Sequence, residues 1–309
     1  MSTVEDLAAR VNSLDVVRPE AHTGVSDHLM HGQKVKITWK NGEVYNFYLG
    51  TFNVLAPEWV WYQNGRRPDG SPLPSWYSLS GQQGLEKTPL ADEANAEKRK
   101  TAILKLIVQF FTNLGEHDSG FLCLQEFPLS WIDDLKAMHP LLSISASDRE
   151  EPWCVCVFVN MKYRCKIETK LSMTVEVEVD GRKFSISCSH LDFNTQANHL
   201  EFKALLGGSH PLFVVGDYNI PCAPISDLAK NCGSTQTLTE FINQAVPSVQ
   251  GLQYVIAQSE LGYTNFNCRK NCAWETNFDH FDNILAVHSG NCSVEFTPAK
   301  MPNEGEWWK

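Results

Sequence analysis

The stretch PLFVVGDYNIP, residues 211–221, decides how this chain is read. Leu212, Phe213, Val214 and Val215 form a short continuous apolar run, the pattern of a strand buried on both faces. The run stops at Gly216 and gives way to Asp217 and Asn219. A buried strand that ends on an uncompensated carboxylate costs on the order of several kcal/mol, so a cation or hydrogen bonds must stand nearby. One such ending is an ordinary turn; its weight comes from repetition.

It repeats along the chain. The apolar segment 50–55 carries Asn53, 121–126 ends on Glu126, and 184–190 ends on His190. Four strand ends of compatible chemistry predict convergence on one site. FDNILAV, residues 281–287, adds an apolar strand that begins near Asp282.

Around these segments the pattern is mixed. Residues 35–55 read as a hairpin turning at Asn41-Gly42, a pair that tolerates the positive φ angles of a type I′ turn. Residues 96–114 read as a helix with Ile103, Leu104, Ile107, Phe110 and Phe111 inward. Further short strands are expected in WCVCVFVN and MTVEVEV, and helices near 130–138, 197–206 and 236–245. Such mixing without strict alternation predicts α/β sheets with helices on their outer faces. No repeat or linker divides the sequence, so a single domain over 1–309 is expected, with an amphipathic helix at 2–14 inside an N-terminal extension, 1–24. Residues 56–95, dense in Pro, Gly and Trp, read as one long loop.

Composition narrows the classes. The 309 residues, 43% of them hydrophobic, can bury a sizeable core. No apolar run reaches the roughly 20 residues of a membrane span, and the first residues lack the features of an export signal. The 10 cysteines therefore read as reduced thiols, and a cytoplasmic location is expected. A formal net charge of −10 disfavours non-specific binding of long duplex nucleic acid and suits a small or short phosphorylated partner.

GTFNVLAP, FLCLQEF, SCSHLDFN, VVGDYNIP and FDNILAV, in this order, resemble the signature segments of the endonuclease/exonuclease/phosphatase (DNase I-like) superfamily. The resemblance covers residues 45–290, and SHLDFN and GDYNIP are most similar to the deadenylase and nocturnin-like group. It implies a four-layered α/β sandwich, two mixed sheets face to face with helices outside. It also implies hydrolysis of phosphate esters assisted by Mg²⁺ or Mn²⁺. Glu126 and Asn53 would serve the metal, His190 a phosphoryl oxygen, Asp217 the attacking water, and Asn219 the nucleophile and phosphate.

Members of the superfamily close with a Ser-Asp-His segment and a last strand, its histidine paired with an aspartate matched here by Asp282. Here only 27 residues follow Asp282, and none is a histidine after His288. Ser26-Asp27-His28 stands instead near the start, ahead of a β-like stretch and the hairpin into the first motif. This order predicts a circular permutation in which Asp27 and His28 supply the missing pair and Asp282 holds His28. His280, on the same strand face as Asp282, is the rival histidine.

Other features carry two readings. Trp59, Trp61, Arg66 and Arg67 would meet substrate from the long loop by stacking and charge, or pack that loop on its own domain. Arg269 would reach phosphate or be solvated, and Cys268 and Cys272 lack a second tight pair for zinc. Cys154 and Cys156 read as small core hydrophobes, and the run at 97–100 as a solvated helix start. The substrate expected is a nucleotide-containing phosphodiester such as single-stranded RNA, or alternatively a phosphomonoester. A silent binding module is the alternative from another class.

Overall fold

The computed structural model describes residues 30–54, 56, 93–148, 154–191, 195–206, 210–219, 238–245, 252–257, 265–268, 276–279 and 282–299. In chain order the strands are β1 His31–Trp39, β2 Val44–Asn53, β3 Gly120–Gln125, β4 Ser143–Ala146, β5 Cys154–Val159, β6 Tyr163–Glu168, β7 Ser172–Val179 and β8 Arg182–His190. They continue with β9 Leu212–Asp217, β10 Gln253–Ile256, β11 Asn265–Cys268, β12 Thr276–Asp279, β13 Asp282–His288 and β14 Cys292–Pro298. The helices are α1 Glu93–Thr112, α2 Ile132–Met138, α3 Thr195–Leu205 and α4 Leu238–Ala245.

Two six-stranded mixed sheets result, ordered β14-β1-β2-β3-β5-β4 and β10-β13-β9-β8-β7-β6, with β11 and β12 as a separate hairpin. Parallel neighbours need a crossover. In the first sheet α1 lies in the crossover between parallel β2 and β3; in the second α3 lies between parallel β8 and β9. Each parallel pair therefore ends its two strands at the same edge.

Alternation assigns the faces. Phe47 and Leu49 of β2, Phe184 and Ile186 of β8, Phe213 and Val215 of β9, and Ile284 and Ala286 of β13 point into one core between the sheets. The opposite face of the first sheet, with Phe52, Leu122 and Leu124, packs on Ile103, Ile107, Phe110 and Phe111 of α1 and Leu135 of α2. The opposite face of the second, with Val214 and Leu285, packs on Phe202 of α3 and Phe241 of α4. Helix, sheet, sheet, helix is the four-layered α/β sandwich expected from the sequence.

Three local expectations are corrected. The hairpin turn is not type I′: Gly42 has φ +85°, Asn41 does not share it, and the Gly42 N–H donates to Trp39 O at 2.8 Å. Lys40, Asn41 and Gly42 turn inside the Trp39–Glu43 pair, whose Trp39 N–H donates to Glu43 O at 2.9 Å, with glycine alone in the left-handed position. The long loop yields its last residues to α1, which begins at Glu93. The run at 97–100 is not wholly solvated, because Arg99 is buried and Lys100 reaches Asp134 at 2.7 Å. Among the described residues, no helix is long and apolar enough to cross a membrane.

Candidate active site

The inter-sheet alternation runs on past the last apolar side chains. On β2 the inward series Phe47, Leu49, Thr51 continues to Asn53; on β8 Ile186 and Cys188 continue to His190; on β9 Phe213 and Val215 continue to Asp217. On antiparallel β13 the same face begins at Asp282. Strand register sets these residues side by side, His190 opposite Asp217 and Asp217 opposite Asp282. The candidate site is thus the final, polar layer of the core.

Asn53 joins the two sheets in this layer. Its Nδ2 donates to Glu126 Oε1 at 2.9 Å and to Asp217 Oδ2 at 3.0 Å. The second Glu126 oxygen accepts the Ala56 N–H at 2.9 Å, and His190 Nε2 lies 3.6 Å from Oε1. Asn53, Asp217 and Asp282 are buried, while Glu126 and His190 keep partial exposure at the edge.

Glu126 gets there by breaking the rule that places the others. Gln125 faces the inter-sheet core, so alternation would send Glu126 to the outer face. Its φ of +57° lies in the left-handed region, at a cost of roughly 1–2 kcal/mol for a side-chain-bearing residue, and turns its carboxylate back to Asn53. Asn219 is left-handed too, with φ +49°. Its backbone N–H donates to Asp217 Oδ1 at 2.8 Å and its Nδ2 to Leu191 O at 2.6 Å, so this amide ties the ends of β8 and β9 together. Gly216 explains the glycine of the GDYN motif: its φ is +149°, and a Cβ there would lie 1.9 Å from Ser189 O.

Of the residues expected from sequence, Asn53, Glu126, His190, Asp217, Asn219 and Asp282 are brought to one edge. Asp27, His28, Trp59, Trp61, Arg66, Arg67, Arg269 and His280 lie outside the described residues, as does the 2–14 helix. One contributor escaped the sequence reading. The buried Arg99 guanidinium donates to Val54 O, just past Asn53. Its spacing four residues ahead of the inward Ile103 was the available signal.

The oxygen atoms suit a hard divalent cation: two carboxylates from different sheets converge on one amide, beside a third carboxylate in register. Two mixed sheets face to face with helices outside, and the polar residues of these motif segments at one edge, form a DNase I-like α/β sandwich.

No family model matches the sequence, and no curated protein matches it at a significant level. Among solved structures the chain is similar to truncated TDP2 from Caenorhabditis elegans, at 11% identity over 64% of this chain and 79% of that one, TM-score 0.38. It is similar to D. rerio TDP2 complexed with single-strand DNA product, at 15% identity over 64% and 80%, TM-score 0.42. It is also similar to ANGEL2, a 2′,3′-cyclic phosphatase, in complex with adenosine-2′,3′-vanadate, at 11% identity over 85% of both chains, TM-score 0.45. Residue roles are carried by this chain's own motifs and geometry.

Proposed function

We propose that this chain is a divalent-metal-dependent phosphoesterase that hydrolyses a phosphodiester in a nucleotide or a short single-stranded nucleic acid. The observation that carries the reading is the bridge from Asn53 to both Glu126 and Asp217, which gathers carboxylates of both sheets at one edge beside His190. Glu126 and Asn53, with Asp27, would hold Mg²⁺ or Mn²⁺, which would offset negative charge accumulating on the phosphoryl oxygens. Asp217, fixed by the Asn53 and Asn219 N–H groups, would orient and deprotonate the attacking water. His190 would donate to a non-bridging phosphoryl oxygen.

The permuted reading of Asp27 and His28 belongs to the same proposal. In support, β1 begins at the site edge: its first residue, His31, pairs with Thr51, two positions before Asn53. His28, three residues ahead of His31 in the sequence, would enter from that edge. His28 would then bind or protonate a phosphate oxygen, its tautomer fixed by Asp282. The net charge of −10 favours a second reading, the same chemistry on a phosphomonoester such as a phosphorylated nucleotide cofactor or an inositol phosphate.

The test is metal-dependent hydrolysis of oligo(A) RNA, single-stranded DNA, a phosphorylated dinucleotide and an inositol polyphosphate by wild type, Glu126→Ala, His28→Ala and His280→Ala. Turnover lost in Glu126→Ala and His28→Ala supports both the site and the permutation. Loss in His280→Ala with His28→Ala active moves the histidine role to His280. Absence of turnover on every substrate counts against the phosphoesterase reading and for a binding module.

A further inference from the structure

Directly beneath the polar layer lies a cluster of sulfur. Cys123 of β3 is opposite Cys156 of β5 in the first sheet, and Cys188 of β8 reaches them from the second. Their three Sγ atoms lie within 4.8 Å of one another, and all three residues are wholly buried. Cys154 shares the inward face of β5 with Cys156, two residues back along the strand. All four cysteines are reduced.

Small hydrophobic packing explains burial, but not the polar support. Gln125, itself buried, spends its amide on this cluster: Nε2 donates to Cys188 Sγ at 3.4 Å, while Oε1 accepts from Thr51 Oγ1 at 3.0 Å. An orienting N–H beside a sulfur is what a metal-bound thiolate requires around it.

We propose that Cys123, Cys154, Cys156 and Cys188 form a buried thiolate site for one thiophilic d¹⁰ cation, Zn²⁺, which links the two sheets under the Glu126–Asp217 layer. Four sulfurs about 2.3 Å from a tetrahedral zinc ion stand about 3.8 Å apart, so Cys123, Cys156 and Cys188 would close by about 1 Å at most. Cys154 would turn in from the next inward position of β5 as the fourth ligand. Each ligating thiol releases its proton to solvent as its sulfur–zinc bond forms. The oxygen-rich layer above selects a hard cation and the sulfur layer a soft one, so the two sites do not compete. With no sulfur exposed, zinc enters as the sheets close, and its binding energy adds to folding.

The experiment is zinc content by plasma mass spectrometry of the full chain, expressed with zinc in the medium and treated with EDTA. Wild type, Glu126→Gln, Cys292→Ala and Cys188→Ala are compared. One zinc ion per chain is expected in the first three and its loss in Cys188→Ala. Should Cys188→Ala not fold, cadmium exchanged into wild type decides: an ultraviolet thiolate-to-cadmium charge-transfer band supports the site. Folded wild type without zinc and without that band overturns it. So does zinc retained in Cys188→Ala, or a Cys123–Cys156 disulfide found by peptide mapping. None of these outcomes depends on hydrolysis.

Discussion

Glu126 and Asp217 stand in different sheets yet accept hydrogen bonds from the same nitrogen, Asn53 Nδ2, at 2.9 and 3.0 Å. The sandwich is therefore closed at this edge by one amide between two carboxylates. Without a cation, Asn53 is the group that lets both carboxylates face the same space.

Asn53→Ala removes that shared donor. Loss of hydrogen bonds to charged groups costs about 1–3 kcal/mol, to be read from urea denaturation in EDTA. A cation that binds only the folded state adds stability by mass action, about 2.7 kcal/mol at 100 times its dissociation constant. Mg²⁺ is thus expected to raise the midpoint of wild type and to raise it little in Glu126→Gln. Equal gains in both proteins count against Glu126 as a ligand.

Gly216→Ala tests the backbone under Asp217. The new Cβ would meet Ser189 O at 1.9 Å, a backbone atom that cannot turn aside, and a φ of +149° disfavours any side chain. The strands β8 and β9 must separate where His190 pairs with Asp217. A loss of about 2–3 kcal/mol is expected together with loss of turnover. Gly42→Ala, at φ +85° with nothing within 4 Å, is the control and costs about 1 kcal/mol with turnover intact.

The layers were legible because the apolar series is strong and continuous: inward Phe213 and Val215 lead by the period of two to Asp217, and Ile186 leads to His190. The same arithmetic misplaces Glu126, whose left-handed backbone carries no mark in FLCLQEF. Edge strands also escaped. β6 has exposed Tyr163 and Ile167 and alternates too weakly, and β4 is only four residues long. Arg99 was read by its neighbours Glu97, Lys98 and Lys100, although its helical phase is that of Ile103. The sulfur cluster spans three strands of two sheets, a proximity no spacing in the chain encodes.

His288 makes stability pH-dependent. Burial at the end of β13 pushes its pKa below the ordinary value, and its Nδ1 accepts the Gly290 N–H at 3.3 Å, which requires the unprotonated nitrogen. A histidine with a depressed folded pKa binds its proton more readily in the unfolded chain. Stability is therefore full above the ordinary value of about 6.5 and falls as pH drops through it. His199 shifts in the same direction, through burial and then Lys203. Urea midpoints should fall between pH 7.5 and 5.5, less so in His288→Gln, and least when His199→Gln is added. A slope unchanged in both variants removes these histidines from the account.

Arg99 is expected to act on turnover without touching substrate. Its guanidinium, buried on the α1 face that packs against β2, donates to Val54 O one residue beyond Asn53. Arg99→Met leaves that carbonyl unsatisfied, at about 1–3 kcal/mol, and frees the end of β2 to shift. A displacement near 1 Å in a catalytic constellation lowers the rate on the order of 100-fold. The expected signature is a fall in kcat with little change in KM, partly rescued by Arg99→Lys, which restores a donor but not its fork. If stability drops in Arg99→Met while kcat holds, Arg99 anchors the helix alone and the placement of Asn53 is secured by the sheet.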